Sequence, residues 1–160
     1  MPYYYRRKKK KEEDYSGIPR VKVVKKPNYI DQLDRIFSLY IRLRDAMYGG
    51  YTRCISCGRV LEFDKFDAGH FHSRTHKATR WDEDNVHSEC QACNRFSADH
   101  LIQYRENLIR KIGEDRYKLL EVKAHTISKD YDEFALKALI ADYKKKVKQL
   151  AQEKGINVKC

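Results

Sequence analysis

Two pairs of cysteines, Cys54-x-x-Cys57 and Cys90-x-x-Cys93, constrain this chain more than any other feature. Two thiolates three residues apart can reach one ion when they sit on a turn, and Ser56 and Gly58 are suited to such a knuckle. Four thiolates in two pairs match a closed tetrahedral zinc site, where protein fills every coordination position. A closed site has no place for water or substrate, so it is expected to hold shape and leave the chemistry to other residues. Disulfide bonding, the other use of paired cysteines, belongs to oxidising compartments. No apolar run of about seven residues follows the basic N-terminus, as a signal peptide would need. No stretch approaches the ~18 apolar residues of a membrane span. The expected setting is therefore the reducing cytoplasm, with no membrane partner, and the expected ligand is zinc. Cys160 stands outside both pairs.

The clip closes a loop of 32 residues, 58–89, that contains Asp67, His70, His72, His76, Asn85 and His87. Such a polar segment cannot bury enough apolar surface to order itself, so the ion is expected to supply the cohesion. The rest of the chain divides around it. Residues 1–27 read as an arm: Arg6 to Lys11 is an unbroken basic run, and few apolar residues offset the entropy of ordering it. Residues 28–126 read as the zinc-containing domain. Residues 127–160 read as a C-terminal helix that packs on that domain or joins two copies of the chain.

Periodicity predicts the helices. Asn28 can cap a helix whose residues Ile30, Leu33, Phe37, Tyr40, Leu43 and Met47 share one face, with Gly49-Gly50 as its end. Short strands are expected over 51–90. A helix beginning near Cys93 or Asn94 is expected to run to Gly113, and EDRYKLLEVKAH reads as another. A long helix from Ser128 or Asp130 to Gly155 carries the stripe Tyr131, Phe134, Leu139, Tyr143, Val147 and Leu150. The fold class is α+β.

The net charge of +11 favours a polyanionic partner, and nucleic acid is the commonest. A ribosomal-like or merely soluble basic protein is the alternative on charge alone. Phosphates can be met by Arg6, Arg7, Lys8 and Lys9 in the arm and by Arg74, Lys77, Arg80 and Arg95 near the clip. No recognition-helix pattern is present, so binding is expected to select DNA shape more than sequence. Trp81 is expected to pack beneath the hairpin.

The ordered set Cys-x-x-Cys, DAGHF, DEDNVH and CQACN resembles the ββα-metal (HNH) nucleases. DAGHF, RWDEDNVHSEC, CNRF and YRENLIRKIG, over roughly residues 50–120, are similar to the phage recombination endonucleases of the NinG (Rap) type. The resemblance implies a zinc-stapled ββα-metal core wrapped by amphipathic helices. It also implies branched DNA as partner, Holliday junctions included, with cleavage during phage recombination in a bacterial host cell. His70 would be the general base, Asn85 would brace the hairpin loop, and Asn94 would bind a catalytic Mg²⁺ or Mn²⁺. The residue types suit that chemistry. A neutral imidazole with pKa ~6.5 can take a proton from water, and a divalent cation can clamp a phosphate oxygen and the leaving oxygen.

One position departs from the pattern. Many ββα-metal nucleases carry a second metal ligand immediately before the base, where this chain has Gly69. Asp67 is the first choice for that ligand. Three residues along a regular strand would point it away from His70, and a bulge or bend at Gly69 is what could bring the two together. His72 shares the strand face of His70, and His87 and His100 are further alternatives. A homodimer through residues 29–48 or 127–154, and contacts with other phage recombination proteins, would fit the same role. The rival reading is a zinc-stabilised DNA-binding accessory or regulator that does not cut; it needs the cysteines and the charge, but not His70 with Asn94.

Overall fold

A computed structural model describes residues 27–97 and 99–158. Arg6, Arg7, Lys8, Lys9 and Cys160 lie outside them. The architecture is α+β: five α-helices and two small antiparallel sheets among the described residues. None of the described helices is long and apolar enough to cross a membrane.

Helix α1 (Tyr29–Asp45) starts where expected, with the Asn28 side chain accepting from the Asp31 N–H at 3.2 Å. It stops earlier than Gly49, because Ala46 turns extended and bridges to Thr52. The buried face is Leu33, Ile36, Phe37, Tyr40, Ile41 and Leu43. Ile30 and Met47, expected on that face, are exposed at its two ends. The main partner of α1 is α5 (Glu133–Lys154), which buries Leu136, Ile140, Tyr143 and Val147. Phe37 meets Tyr143 edge-on at 4.9 Å, a favoured aromatic arrangement. Helix α5 begins later than Ser128 or Asp130, since Asp132 is its cap and accepts from the Ala135 N–H at 2.7 Å. Phe134 is 82% exposed, so the true stripe runs through Leu136 and Ile140. Gly155 ends the helix in the left-handed region (φ +63°), as read from the sequence.

Between these helices lies the clip region. Strands β1 (Tyr51–Arg53) and β2 (Val60–Glu62) form one hairpin around the first cysteine pair. Strands β3 (Phe66–His70) and β4 (Val86–Cys90) pair antiparallel from Phe66↔Cys90 to His70↔Val86. Helix α2 (Gln91–Phe96) leaves β4 directly, so Cys90 ends a strand and Cys93 sits one turn into a helix. The single helix expected to reach Gly113 is therefore two. The chain breaks at Ser97, which is extended, and resumes as α3 (His100–Ile112). The break redirects the chain so that Tyr104 and Leu108 pack on Tyr117 and Leu120 of α4 (Glu114–Thr126), beside Phe71. Trp81 is buried in the α1–α5 core beneath the hairpin, its indole N–H donating to Asp34 at 2.8 Å.

Candidate functional site

The four sulfurs of Cys54, Cys57, Cys90 and Cys93 all lie within 4.8 Å of one another. Cys57 and Cys90 Sγ are 3.8 Å apart. A zinc–sulfur bond of ~2.3 Å gives a tetrahedron with sulfur–sulfur edges of ~3.8 Å, so the cluster could hold zinc. Gly58 (φ +72°) supplies the left-handed residue that turns the first knuckle, and the Cys90 N–H donates to Cys54 Sγ at 3.3 Å. Burial pushes the Cys54 thiol up to about 11 and raises that of Cys93 further. Burial is the largest single influence on Cys57 and raises it, but the Arg59 N–H and the neighbouring sulfurs together outweigh burial and lower it. A bound cation is what would let all four ionise together.

The clip fixes the junction of β4 and α2, and β3 lies against it. Asp67 and His70 of β3 and Asn94 of α2 border one cleft of about 580 Å³, floored by α1. Asn94 Nδ2 donates to Asp67 at 3.1 Å, and Arg95 binds the same carboxylate with two nitrogens at 2.7 and 2.9 Å. Against its partial burial, these donors hold the Asp67 carboxyl below its ordinary range. Carboxylate and amide oxygens are the donors that hard divalent cations take. Arg95 would have to give way to such an ion, and among the described residues Asp67 belongs to no cluster of three His, Cys, Asp or Glu ligands.

Burial lowers the His70 pKa more than the Arg80 carbonyl raises it, which favours the neutral ring. Its Nδ1 lies 3.2 Å from the Ala68 carbonyl and its Nε2 3.0 Å from that of Arg80. A neutral ring has one N–H, so one nitrogen donates and the other turns its lone pair toward a carbonyl. Accepting a proton from water requires the ring to rotate off one of them.

Asn85, wholly buried, ties the loop after β3 to the start of β4. Its Oδ1 accepts from the His72 N–H at 2.7 Å, and its Nδ2 donates to the carbonyls of His72 and Thr79, each at 2.9 Å. The Tyr104 hydroxyl donates to the Gly69 carbonyl at 2.9 Å, holding the strand next to His70 from the other side.

No bulge at Gly69 brings Asp67 and His70 together, since the β3–β4 ladder is continuous through it. Gly69 serves a different need. A Cβ there would lie 2.4 Å from Glu89 Oε2 and 2.7 Å from Glu89 Cβ. Glu89 is wholly buried across that strand face, accepting from the Ser56 hydroxyl and bonded to His100 Nδ1 at 2.7 Å. The residue before His70 is a glycine because a buried carboxylate occupies the space.

The alternative ligands do not reach the cleft. His100 is engaged by Glu89. His87 is buried; its Nδ1 accepts from Arg44 at 2.8 Å and its Nε2–H donates to the Asp84 carbonyl at 3.2 Å. Burial, then the positive charges of Lys111 and Arg44, push its pKa down to about 3. His72 points to Glu121 of α4, at 3.0 Å. Of the candidate phosphate contacts, Arg74 and Arg95 border the cleft, while Lys77 pairs with Asp130 and Arg80 grips Asp34 through two nitrogens. Asp34, Arg35 and Arg42 also border the cleft and were not singled out from the sequence. Arg35, Ser38 and Arg42 are spaced i, i+3, i+7, a polar helix face opposite the apolar one, and that spacing was the available signal.

Comparison with known proteins supplies the relatives. The sequence profile described as "Bacteriophage Lambda NinG protein" matches residues 4–153. "Protein ninG" of Escherichia phage 933W is 31% identical over 146 residues, covering 89% of this chain and 68% of that protein. "Protein ninG" of Escherichia phage lambda is 32% identical over 139 residues, covering 84% and 64%. That of Salmonella phage P22 is 33% identical over 141 residues, with the same coverage. No solved structure matches.

Proposed function

The chain belongs to the NinG family, and from that premise we propose that it is a metal-dependent endonuclease of the HNH type acting on branched DNA, Holliday junctions included. The observation that carries the reading is the meeting of His70, Asp67 and Asn94 at one cleft bordered by Arg35, Arg42, Arg74 and Arg95. In this reading β3, β4 and α2 are the ββα unit, and the cysteine clip is its staple. Asp67 and Asn94 would hold Mg²⁺ or Mn²⁺, which when bound supplies a Lewis acid for a phosphate oxygen and the leaving oxygen. The chain does the rest. Arg35, Arg42 and Arg74 draw the phosphate backbone into the cleft. His70, rotated off one carbonyl, takes the proton of the attacking water, and its lowered pKa favours the neutral form that can do so. Asn85 and Tyr104 keep the backbone on either side of His70 from moving.

One observation favours the non-cutting rival: Asp67 is engaged by Arg95, and both His70 nitrogens face carbonyls. Incubation of the protein with four-way-junction and linear duplex DNA, in Mg²⁺, Mn²⁺ or EDTA, separates the two. The nuclease reading expects metal-dependent scission with a preference for the junction. Binding that persists while no metal triggers scission establishes the rival instead.

A further inference from the structure

We propose that His72, Glu121 and His125 form a second metal site, separate from both the cysteine clip and the cleft, that takes a zinc-like first-row divalent cation. Their ligand atoms lie within 4.8 Å of one another. Glu121 and His125 stand one turn apart on α4, a spacing that puts both on the same face. The two histidines approach the two oxygens of one carboxylate: His72 Nε2 is 3.0 Å from Oε1 and His125 Nε2 is 3.7 Å from Oε2. Two imidazoles and one carboxylate are a donor set that zinc accepts, leaving a fourth position open. His76 is a further donor close by, its ring centre 5.6 Å from that of His125, and its Nδ1–H donates to the Ala124 carbonyl at 2.9 Å. That bond leaves Nε2 with the free lone pair a metal needs.

The site is built more firmly than a chance surface pair. Asn85 fixes the His72 backbone by both its N–H and its carbonyl, and the His72 side chain is only 11% exposed. None of the three ligands borders the cleft. A bound ion would clasp the loop after β3, which carries Arg74, to α4. The ion's role is thus to hold that loop.

The test is zinc stoichiometry by elemental analysis, after dialysis of the full chain against buffered low-micromolar free Zn²⁺. Wild type and His70→Ala are expected to retain two ions per chain. His125→Ala and Glu121→Gln are expected to retain one, with unchanged far-UV circular dichroism. Because His125 is 60% exposed, its removal leaves the core untouched. Excess zinc should also raise the Tm of wild type but not of His125→Ala. One ion in wild type, or two surviving in folded His125→Ala, overturns the site; loss of the second ion in His70→Ala alone assigns it to the cleft.

Discussion

Replacing Gly69 by alanine tests why the residue before the candidate base has no side chain. The new Cβ would lie 2.4 Å from Glu89 Oε2 and 2.7 Å from Glu89 Cβ. Rotating Glu89 could relieve the first contact, but only by breaking its bonds to Ser56 and His100 inside the protein. The second contact is fixed by the β4 backbone and is relieved only by moving one strand against the other. Overpacking of this kind costs typically ~1–3 kcal/mol. The smaller unfolded-state entropy of alanine offsets ~0.4–1 kcal/mol. The net expectation is a loss of ~1.3 kcal/mol, or a Tm lowered by roughly 3–5 °C for a chain of this size. Thermal and urea unfolding followed by circular dichroism in zinc-containing buffer measure it. Stability equal to or above that of wild type would refute the reasoning, since it would mean Glu89 does not occupy that space. Because the same strand carries His70, cleavage should fall with stability.

Three further outcomes follow from the geometry. Asn85→Ala leaves the His72 N–H and the His72 carbonyl without their partner, at ~1–3 kcal/mol for each group that stays dry, while the Thr79 carbonyl keeps the Asp82 N–H; urea unfolding should show a loss of ~3 kcal/mol. His87 binds its proton far more weakly folded (about 3) than unfolded (~6.5), so the unfolded state holds more protons as pH drops through that window. Stability should therefore fall with pH by up to ~1.4 kcal/mol per unit, a slope to which His70 and His72, also lowered, add. In His87→Gln that slope, read from urea unfolding between about pH 6.5 and 5.5, should be shallower; an unchanged slope would remove His87 from the explanation. Cys90→Ser should cost the clip its zinc and much of the helical circular dichroism, and a variant that stays fully helical with the clip empty would show the clip to be dispensable.

The cysteine pairs were readable from the sequence because zinc ligation sets a local spacing, and that spacing survives whatever the rest of the chain does. Helices α1 and α5 were readable by the same logic of caps and periodicity, with Asn28 and Gly155 marking two of their ends, while the start of α5 was read at Ser128 or Asp130 and its cap is Asp132. Position within a stripe was harder to read. Phe134 fits the period of α5 but falls where no neighbour covers it, and Ile36 and Ile41 are buried in the core cluster that α1 shares with Trp81, Val86 and α5. Burial of that sort is decided by a distant segment. The break at Ser97 had no glycine or proline to announce it; it follows from where α4 receives Tyr104 and Leu108. Gly69 shows the same limit more sharply. Its local neighbours suggested a bulge, while the reason for it is Glu89, twenty residues on and held by Ser56 and His100. Arg35 and Arg42 joined the cleft because α1 forms its floor, a tertiary fact that their spacing alone only hints at.

The proposal rests on an imidazole and an ion acting together on one phosphodiester. Single-turnover cleavage of a labelled four-way junction by wild type and His70→Ala, with DNA affinity and zinc content measured on the same samples, addresses that pairing. The prediction is a rate reduced ~10²–10⁴-fold in His70→Ala, with affinity and zinc unchanged. Equal rates for the two proteins would contradict it.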